Sequence, residues 1–253
     1  MLKKVLAVAS AVGLGVFAGL ANAVEITFDL NNYDSRDGEI NSWLWGDDAY
    51  AKTYNYSSDG LNLSITGWSY GIFNDRIESS YVGSWDPYGL GVEQAFSPNH
   101  AIDNYRGDYD MLLLSFDQSI ELDTIASGWH YNDSDASIMA YTGGPVSDVT
   151  SAFAGNKWQD LLLEGWSFIG DYYNVGSSNT NVNSSGLTSQ YWLVGAYNQH
   201  LGGPSGITTN NDFFKLKSAS VSVNPVPLPG SLLLFGTALL WFGSVRRKQK
   251  AAK

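Results

Sequence analysis

Apolar and polar residues alternate in short runs along this chain, and clusters of turn residues separate the runs. In the first six residues of LNLSITGW (61–68), every second residue is apolar. A period of two is typical of a strand that buries one face. The run FFKLKSASVSV (213–223) alternates in part. MLLLSFD (111–117) is apolar almost throughout, which indicates a central strand, and ELDTIASGW (121–129) follows it as a further strand candidate.

Short strands at turn-rich spacing, with almost no long helical period, predict an all-β fold. We expect a single β-sandwich, jelly-roll-like, over residues 24–224. One short helical region is expected, with Ser147 or Asp148 as its cap. Residues 165–175 and 190–198 share an apolar–apolar–Gly–x–Tyr pattern, and we expect them to pair as neighbouring strands.

The chain contains no cysteine. A disulfide framework and a thiolate metal site are therefore excluded. The predicted body, residues 24–224, has 201 residues and is long enough to bury an ordinary hydrophobic core, which must supply its stability.

The N-terminal residues have the three parts of a secretory signal peptide. Lys3 and Lys4 form a basic region, and an uncharged apolar run follows. Ala21 and Ala23 then give the small-x-small pattern of a cleavage site. We therefore expect signal peptidase to remove residues 1–23 after export through the Sec translocon. An N-terminal membrane anchor is the alternative interpretation.

Acidic residues dominate the predicted body. The chain has 25 acidic and 14 basic residues, and seven of the basic residues lie in its first 23 and last 8 positions. All the acidic residues lie between Glu25 and Asp212, so the body carries 7 − 25 = −18. Such a charge repels phosphate backbones, and we expect no nucleic-acid partner.

A second uncharged segment lies near the C-terminus. Residues 228–245 are 18 residues without charge, about the minimum length for a helix that spans a membrane. Arg246 and Arg247 open a basic stub, 246–253, which the positive-inside rule places in the cytoplasm. The acidic body is then expected outside the membrane. A buried core helix or strand is the alternative.

Residues 225–253 contain VPLPGSLLLFGTALLWFGSVRRKQK, which resembles the PEP-CTERM sorting signal. In that signal a Pro-x-Pro motif, one apolar helix and an Arg-rich cluster follow one another. The motif positions are occupied here by Val226, Pro227, Leu228 and Pro229. Leu228 stands where the family has its namesake glutamate.

The resemblance implies a route and a partner. In that family the membrane enzyme exosortase recognises the signal and cuts at the motif. The resemblance therefore implies export by a Gram-negative bacterium, transient anchoring in the inner membrane, and delivery to the cell surface or the exterior. It also implies a setting of extracellular polysaccharide or biofilm matrix.

Two acidic segments offer the hard oxygen ligands that Ca²⁺ prefers. One is a loop that leads into the strand at 111–117, and the other follows the strand at 121–129. The second segment lacks the glycine and the distal glutamate of an EF-hand, which is excluded. Turn formation by Asp103 and Asn104 is the alternative interpretation of the first. The candidate ligands are Asp103, Asn104, Asp108, Asp110, Asp133 and Asp135.

Eight tryptophans remain in the predicted body, and many of them must fill its core. Trp43, Trp45 and Trp85 lie instead among turn residues. An aromatic face beside aspartate or asparagine can stack on a sugar ring while the polar neighbours bond its hydroxyl groups. These three residues are therefore candidates for glycan binding. Packing at the ends of the sandwich is the alternative.

The histidines and carboxylates do not identify an enzyme. The chain has three histidines, His100, His130 and His200, and none has the HExxH spacing of a zinc protease. Two carboxylates at glycosidase spacing are conceivable among 25, but the sequence does not show which pair. We therefore expect a protein that is not an enzyme.

The sequence thus predicts an exported, exosortase-processed protein of the cell surface or biofilm matrix, with a structural or adhesive role among extracellular polysaccharides. A calcium-dependent carbohydrate-binding module is the first alternative, and a polysaccharide-active hydrolase is the second. Apart from Ca²⁺, no cofactor is expected.

Overall fold

The structure is a computed structural model, and it describes residues 23–39, 49–71, 75–93, 100–202 and 206–223. Four predicted features lie outside these ranges and stay predictions: Ala21 with the residues before it, Trp43, Trp45, and the sorting segment 225–253. Ala23, at the expected cleavage site, is described and exposed. The structure can therefore be compared only with the predictions made for the body, residues 24–224.

Strands dominate the described part of the chain, which confirms the predicted all-β fold. They form one connected sheet, and every pairing between named strands is antiparallel. The strands are β1 (Val24–Asp29), β2 (Ser35–Asp37), β3 (Ala49–Ala51), β4 (Thr53–Ser58), β5 (Leu61–Gly71), β6 (Arg76–Trp85), β7 (Gly89–Glu93), β8 (Ile102–Asp103), β9 (Met111–His130), β10 (Ala136–Tyr141), β11 (Trp166–Tyr172), β12 (Thr180–Asn181), β13 (Thr188–Ala196) and β14 (Phe213–Val223).

The helical elements of the described residues are short. They are α1 (Gln199–Gly202) and three 3₁₀ helices, Tyr105–Gly107, Val149–Ala152 and Trp158–Leu163. The predicted short helical region is therefore present as 3₁₀ turns. Asp148 is its cap, because the Asp148 carboxylate accepts the backbone N–H of Thr150 at 2.9 Å.

The alternation in β5 has the predicted effect. Leu61, Leu63 and Ile65 are at most 1% exposed, whereas Asn62 between them is exposed. Gly67, Trp68 and Ser69 are then buried in succession, so that both faces of β5 are covered at these three positions, and Tyr70 is half-buried. The half-buried strand that the sequence predicts is thus buried on both faces over Gly67, Trp68 and Ser69.

The longest strand, β9, joins two strands that the sequence predicts separately. It runs for 20 residues. Its first part pairs with β13 and β5, and its second part pairs with β14 and β12. The pairings β9–β14–β7–β6–β5–β9 therefore close into a ring. The ring closes through β9, because its first part pairs with β5 and its second part pairs with β14.

Two hydrophobic clusters lie on opposite faces of the first part of β9. Leu112, Leu114 and Phe116 belong to the larger, inner cluster. Met111 and Leu113 belong to a smaller, outer cluster that packs under the 3₁₀ helices. The alternation of faces along a strand explains why a continuous apolar run is needed here.

One predicted strand pairing is wrong. The segments 165–175 and 190–198 form β11 and β13, but β10 lies between them and pairs with both. Their shared pattern therefore reflects a common neighbour. The short β10, Ala136–Tyr141, is buried at five of its six positions, as a central strand requires.

The described residues all belong to one compact unit, Ala23–Asn224. Within that part of the chain, no helix has the length and apolar character that a membrane crossing requires. The expected membrane-spanning segment, 228–245, lies outside the described residues.

Candidate functional site

Three carboxylates converge where the connection from β9 to β10 meets the segment before β14. Oxygen atoms of Asp133, Asp135 and Asp212 all lie within 4.8 Å of one another. A parallel backbone bridge between Asp133 and Asp212 holds the two segments side by side. We call these three residues the carboxylate triad.

Asp212 is the most constrained member of the triad. It is fully buried, and its Oδ1 accepts the backbone N–H of Asp135 at 2.8 Å. Its Oδ2 accepts Asn104 Nδ2 at 2.5 Å, and its own N–H donates to Asn104 Oδ1 at 3.1 Å. Asn104 in turn is anchored by the carbonyl of Tyr197, which accepts Nδ2 at 2.9 Å. Asn104 therefore orients Asp212 from a distant part of the chain.

The other two carboxylates also accept hydrogen bonds from fixed donors. Asp135 Oδ1 accepts the N–H of Asn174 at 2.7 Å. Asp133 accepts the N–H of Ser134 at 2.9 Å and Asn211 Nδ2 at 3.1 Å. Such donors stabilise the charged forms. These hydrogen bonds fix the positions of the carboxylate oxygens and hold them close together.

Burial opposes these donors at Asp212 and Asp135 and favours the protonated forms of these two. Desolvation raises the pKa of Asp212 to about 7, and the charges of Asp135 and Asp133 add to the effect. Desolvation also raises the pKa of Asp135, with a further contribution from Asp133. Like charges this close favour the protonated form of one carboxyl group, and a cation between them would offset the same repulsion. The chemistry of the donor set, all hard oxygen, fits Ca²⁺ or a proton.

The structure divides the predicted metal ligands between two places. Asp133 and Asp135 lie in the triad, and Asn104 contacts it through Asp212. Asp103, Asp108 and Asp110 lie on the segment before β9, and they do not form a second such group among the described residues. Their role as cation ligands stays a prediction. The alternative interpretation holds for Asp103, whose Oδ1 accepts the N–H of Tyr105 at 2.9 Å in a turn.

Sequence reasoning missed Asp212. It lies 77 residues after Asp135, so no local spacing connects the two. The available signal was the polar run Asn210-Asn211-Asp212 directly before the alternating strand 213–223. Strand ends that meet in space are not neighbours in sequence, and only the topology reveals their contact.

Trp85 is the one glycan candidate among the described residues, and its ring is already well packed. The indole stacks on His100 with ring centroids 5.6 Å apart, and Tyr50 meets it edge-on at 5.7 Å. The Lys215 ammonium lies 4.6 Å from the Trp85 ring and 4.2 Å from that of Trp129. His100 is itself paired with the carboxylate of Glu93. These contacts favour a packing role for Trp85.

One sequence pattern for catalysis is present, but its structure does not fit. GWSYG (67–71) matches the G-x-S-x-G pattern of a nucleophile elbow. Such an elbow needs a sharp turn from a strand to a helix, whereas Ser69 lies within β5 and is fully buried. Its hydroxyl donates to the carboxylate of Asp108 at 2.5 Å. Ser69 is therefore a structural hydrogen-bond donor.

Comparison with protein-family models, curated proteins and solved structures finds no match for this chain. The resemblance of residues 225–253 to the PEP-CTERM signal stays a prediction from those residues. Function is therefore inferred from the sequence of the two ends and from the contacts of the body.

Proposed function

We propose that this chain is exported, anchored transiently in the inner membrane and processed by exosortase, and that its body then acts outside the cell. The observation that carries this proposal is the order of Pro-x-Pro motif, apolar segment and basic cluster in residues 225–253. The signal-peptide pattern of residues 1–23 supports the same route.

The body is proposed to be a jelly-roll-like β-sandwich with a structural or adhesive role among extracellular polysaccharides. The large inner cluster, which collects buried side chains from strands along most of the sheet, supports such an architecture. The acidic charge of the body supports solubility outside the cell and disfavours anionic surfaces.

Processing at the motif gives the direct test. In a Gram-negative host with exosortase, we expect a product that begins at Val24 and ends within residues 225–230. The double change Pro227→Ala and Pro229→Ala is expected to abolish this cut, because it removes the prolines that keep the segment extended. Intact mass in membrane and medium fractions measures the outcome.

Pro225→Ala is the matched control, since it removes a proline just outside the motif and is expected to leave processing unchanged. The same host without exosortase must accumulate the membrane-bound chain. Wild-type protein that keeps Lys253 in the membrane of the exosortase-containing host would overturn the proposal.

Calcium-dependent carbohydrate binding is the second candidate, and the carboxylate triad favours it. The triad supplies three hard ligands from two chain segments. In this role Asp133, Asp135 and Asp212 would hold the ion, and the bound ion would offset their mutual repulsion. Sugar hydroxyls are neutral oxygen ligands that can complete the coordination of such an ion.

Asp135→Asn tests the second candidate. The change removes one charge but keeps an oxygen for the N–H of Asn174. With a dissociation constant of about 10⁻⁴–10⁻³ M, 10 mM Ca²⁺ is expected to stabilise the wild type by about 1.4–2.7 kcal/mol. The variant should lose this gain. Thermal unfolding and calorimetric titration with CaCl₂ measure it.

Asp59→Asn is the control for charge alone, because Asp59 is exposed in a turn with a positive φ that asparagine tolerates. A glycan array with and without Ca²⁺ then asks whether sugars bind. Equal stabilisation of the wild type and Asp135→Asn by Ca²⁺ would rule out the triad as the binding site.

A further inference from the structure

The first and last strands of the described body lie side by side in the sheet. β1 and β14 are antiparallel, and their six residue pairs run without a shift, beginning with Val24 opposite Val223. The chain therefore enters the sheet directly beside the point where it leaves it. We call the first two of these pairs, Val24–Val223 and Glu25–Ser222, the terminal pairs.

The inner part of β1 is firmly anchored. Ile26 and Phe28 are buried in the inner cluster, and the Phe28 ring meets Phe116 edge-on with ring centroids 5.9 Å apart. The hydroxyl groups of Thr27 and Ser220 share a hydrogen bond of 2.8 Å. Separation of β1 from β14 beyond the first two residues would break these contacts, so the inner part of β1 is expected to stay in place.

The terminal pairs have weaker support. Val24 is 55% exposed, and Glu25 is also exposed. β9 pairs with β14 only as far as Ser222, so among the described strands Val223 pairs with Val24 alone, although its side chain packs against the inner cluster. Strand ends with few buried contacts are the first parts of a fold to open. The end of β14 is thus held by a contact that can open while the rest of β1 stays in place.

The sorting motif follows closely on the end of β14. Asn224 and Pro225 separate Val223 from Val226, the first residue of the motif. A chain spans at most about 3.6 Å per residue, so this connection reaches at most about 11 Å. With both terminal pairs open, the free chain would start after Val221, and the maximum reach would grow to about 18 Å.

These two lengths matter to an enzyme that cuts at the motif. An active-site cleft that encloses an extended peptide has at least one helix or sheet layer as its wall, and such a layer is about 10–12 Å thick. A reach of about 11 Å only equals the thickness of that wall, so the enzyme and the folded sheet would compete for the same space. A reach of about 18 Å accommodates both.

We propose, on the basis of the proposed exosortase processing, that the terminal pairs control the cut at the sorting motif. While they are closed, the body excludes the enzyme from the motif. While they are open, the motif enters the active site. Opening breaks about two hydrogen bonds between the strands, which lowers the open population about 5–30-fold. The fold of the body thus sets how long the membrane-anchored intermediate persists.

A disulfide across the terminal pairs tests this control. The chain has no cysteine, so Glu25→Cys combined with Ser222→Cys yields one defined pair of thiols. Opposite residues of antiparallel strands have Cα atoms about 4.5–5.5 Å apart, which lies within the range that a disulfide spans. In the oxidising space outside the inner membrane, the bond is expected to close and hold the two strands together.

The crosslinked full-length chain is expected to be cut at least about tenfold more slowly than the wild type in a host that contains exosortase. Dithiothreitol added to membranes of that host should restore the wild-type rate. Intact mass over time distinguishes the chain that keeps residues 225–253 from the cut product, and labelling of free thiols measures disulfide formation. The reduced double variant controls for loss of the Ser222 hydroxyl, which donates to Asp123 at 2.6 Å.

A second crosslink is the matched control for a disulfide within the sheet. Ser57 and Asn62 lie opposite each other in β4 and β5, and both are exposed. Ser57→Cys combined with Asn62→Cys therefore places the same bond between another pair of antiparallel strands. Cutting of this variant should proceed at the wild-type rate.

A longer connection makes opening of the terminal pairs unnecessary. Four residues, Gly-Ser-Gly-Ser, inserted between Asn224 and Pro225 extend the maximum reach from Val223 to Val226 to about 25 Å. We expect this insertion to raise the rate of cutting about 5–30-fold. In the crosslinked chain, the same insertion should restore cutting to that higher rate.

Two results would overturn the control by the terminal pairs while leaving the proposed processing intact. One is a crosslinked chain that is cut as fast as its reduced form in a host that cuts the wild type. The other is an insertion that leaves the rate of cutting unchanged, and this test needs no cysteine. Absence of a cut in every chain, the wild type and the insertion variant included, would instead overturn the proposed exosortase processing, and the control with it.

Discussion

Replacement of Trp192 by alanine is expected to lower the free energy of unfolding by about 3–5 kcal/mol. Trp192 is fully buried in β13, where it pairs with Leu114 on one side and Ala140 on the other. Its Nε1 donates to the carbonyl of Ser189 at 3.1 Å. The change removes a large apolar side chain from the inner cluster and leaves that buried carbonyl without its donor.

Urea denaturation of the purified protein, followed by far-ultraviolet circular dichroism, measures this loss. Leu163→Ala is the control, because the Leu163 side chain is 87% exposed and its removal should change stability by less than about 0.5 kcal/mol. A loss of under 1 kcal/mol for Trp192→Ala would mean that β13 is not central to the core.

The predictable part of the fold is the part that local sequence determines. The alternation at Leu61, Leu63 and Ile65 specifies which face is buried, and the side chains at those positions are buried as predicted. The cap at Asp148 needs only a contact two residues away. The interaction that decides each of these features lies within a few residues, so the pattern suffices.

The parts that sequence did not predict depend on contacts between distant segments. Whether a polar stretch ends a strand or continues it, as in the middle of β9, depends on the partners on each side. There β13 and β5 give way to β14 and β12 as neighbours. In the same way β10 separates β11 from β13, although their patterns match. A period of two predicts that a strand is present but does not determine which other strand pairs with it.

The same distinction between local patterns and distant contacts applies to the candidate site. Asp133 and Asp135 lie two positions apart in sequence and could be named together, whereas Asp212 joins them only through the bridge between two chain segments. Ser69 shows the opposite failure, since its local pattern matches a catalytic elbow while β5 buries its hydroxyl against Asp108. A short motif carries chemistry only where the fold supplies its context.

Replacement of Gly91 by alanine is expected to destabilise the protein by about 3 kcal/mol, because the new methyl group meets fixed atoms. Gly91 lies in β7 and is paired with Gly83 of β6. A Cβ on Gly91 would overlap the carbonyl oxygen of His100 and lie 3.2 Å from the Trp85 ring. The His100 carbonyl is a backbone group and cannot move aside as the end of a flexible side chain can. The connection between β7 and β8 must therefore shift.

Gly144→Ala is the matched control, since a Cβ there has no atom within 4 Å and the position has no positive φ. It should change stability by less than about 0.5 kcal/mol in urea denaturation.

The comparison also tests the packing of Trp85, whose indole lies over Gly83 and against His100. If Gly91→Ala were as harmless as the control, His100 and Trp85 would have to move readily, and the packing role of Trp85 would give way to a ring free to bind a sugar.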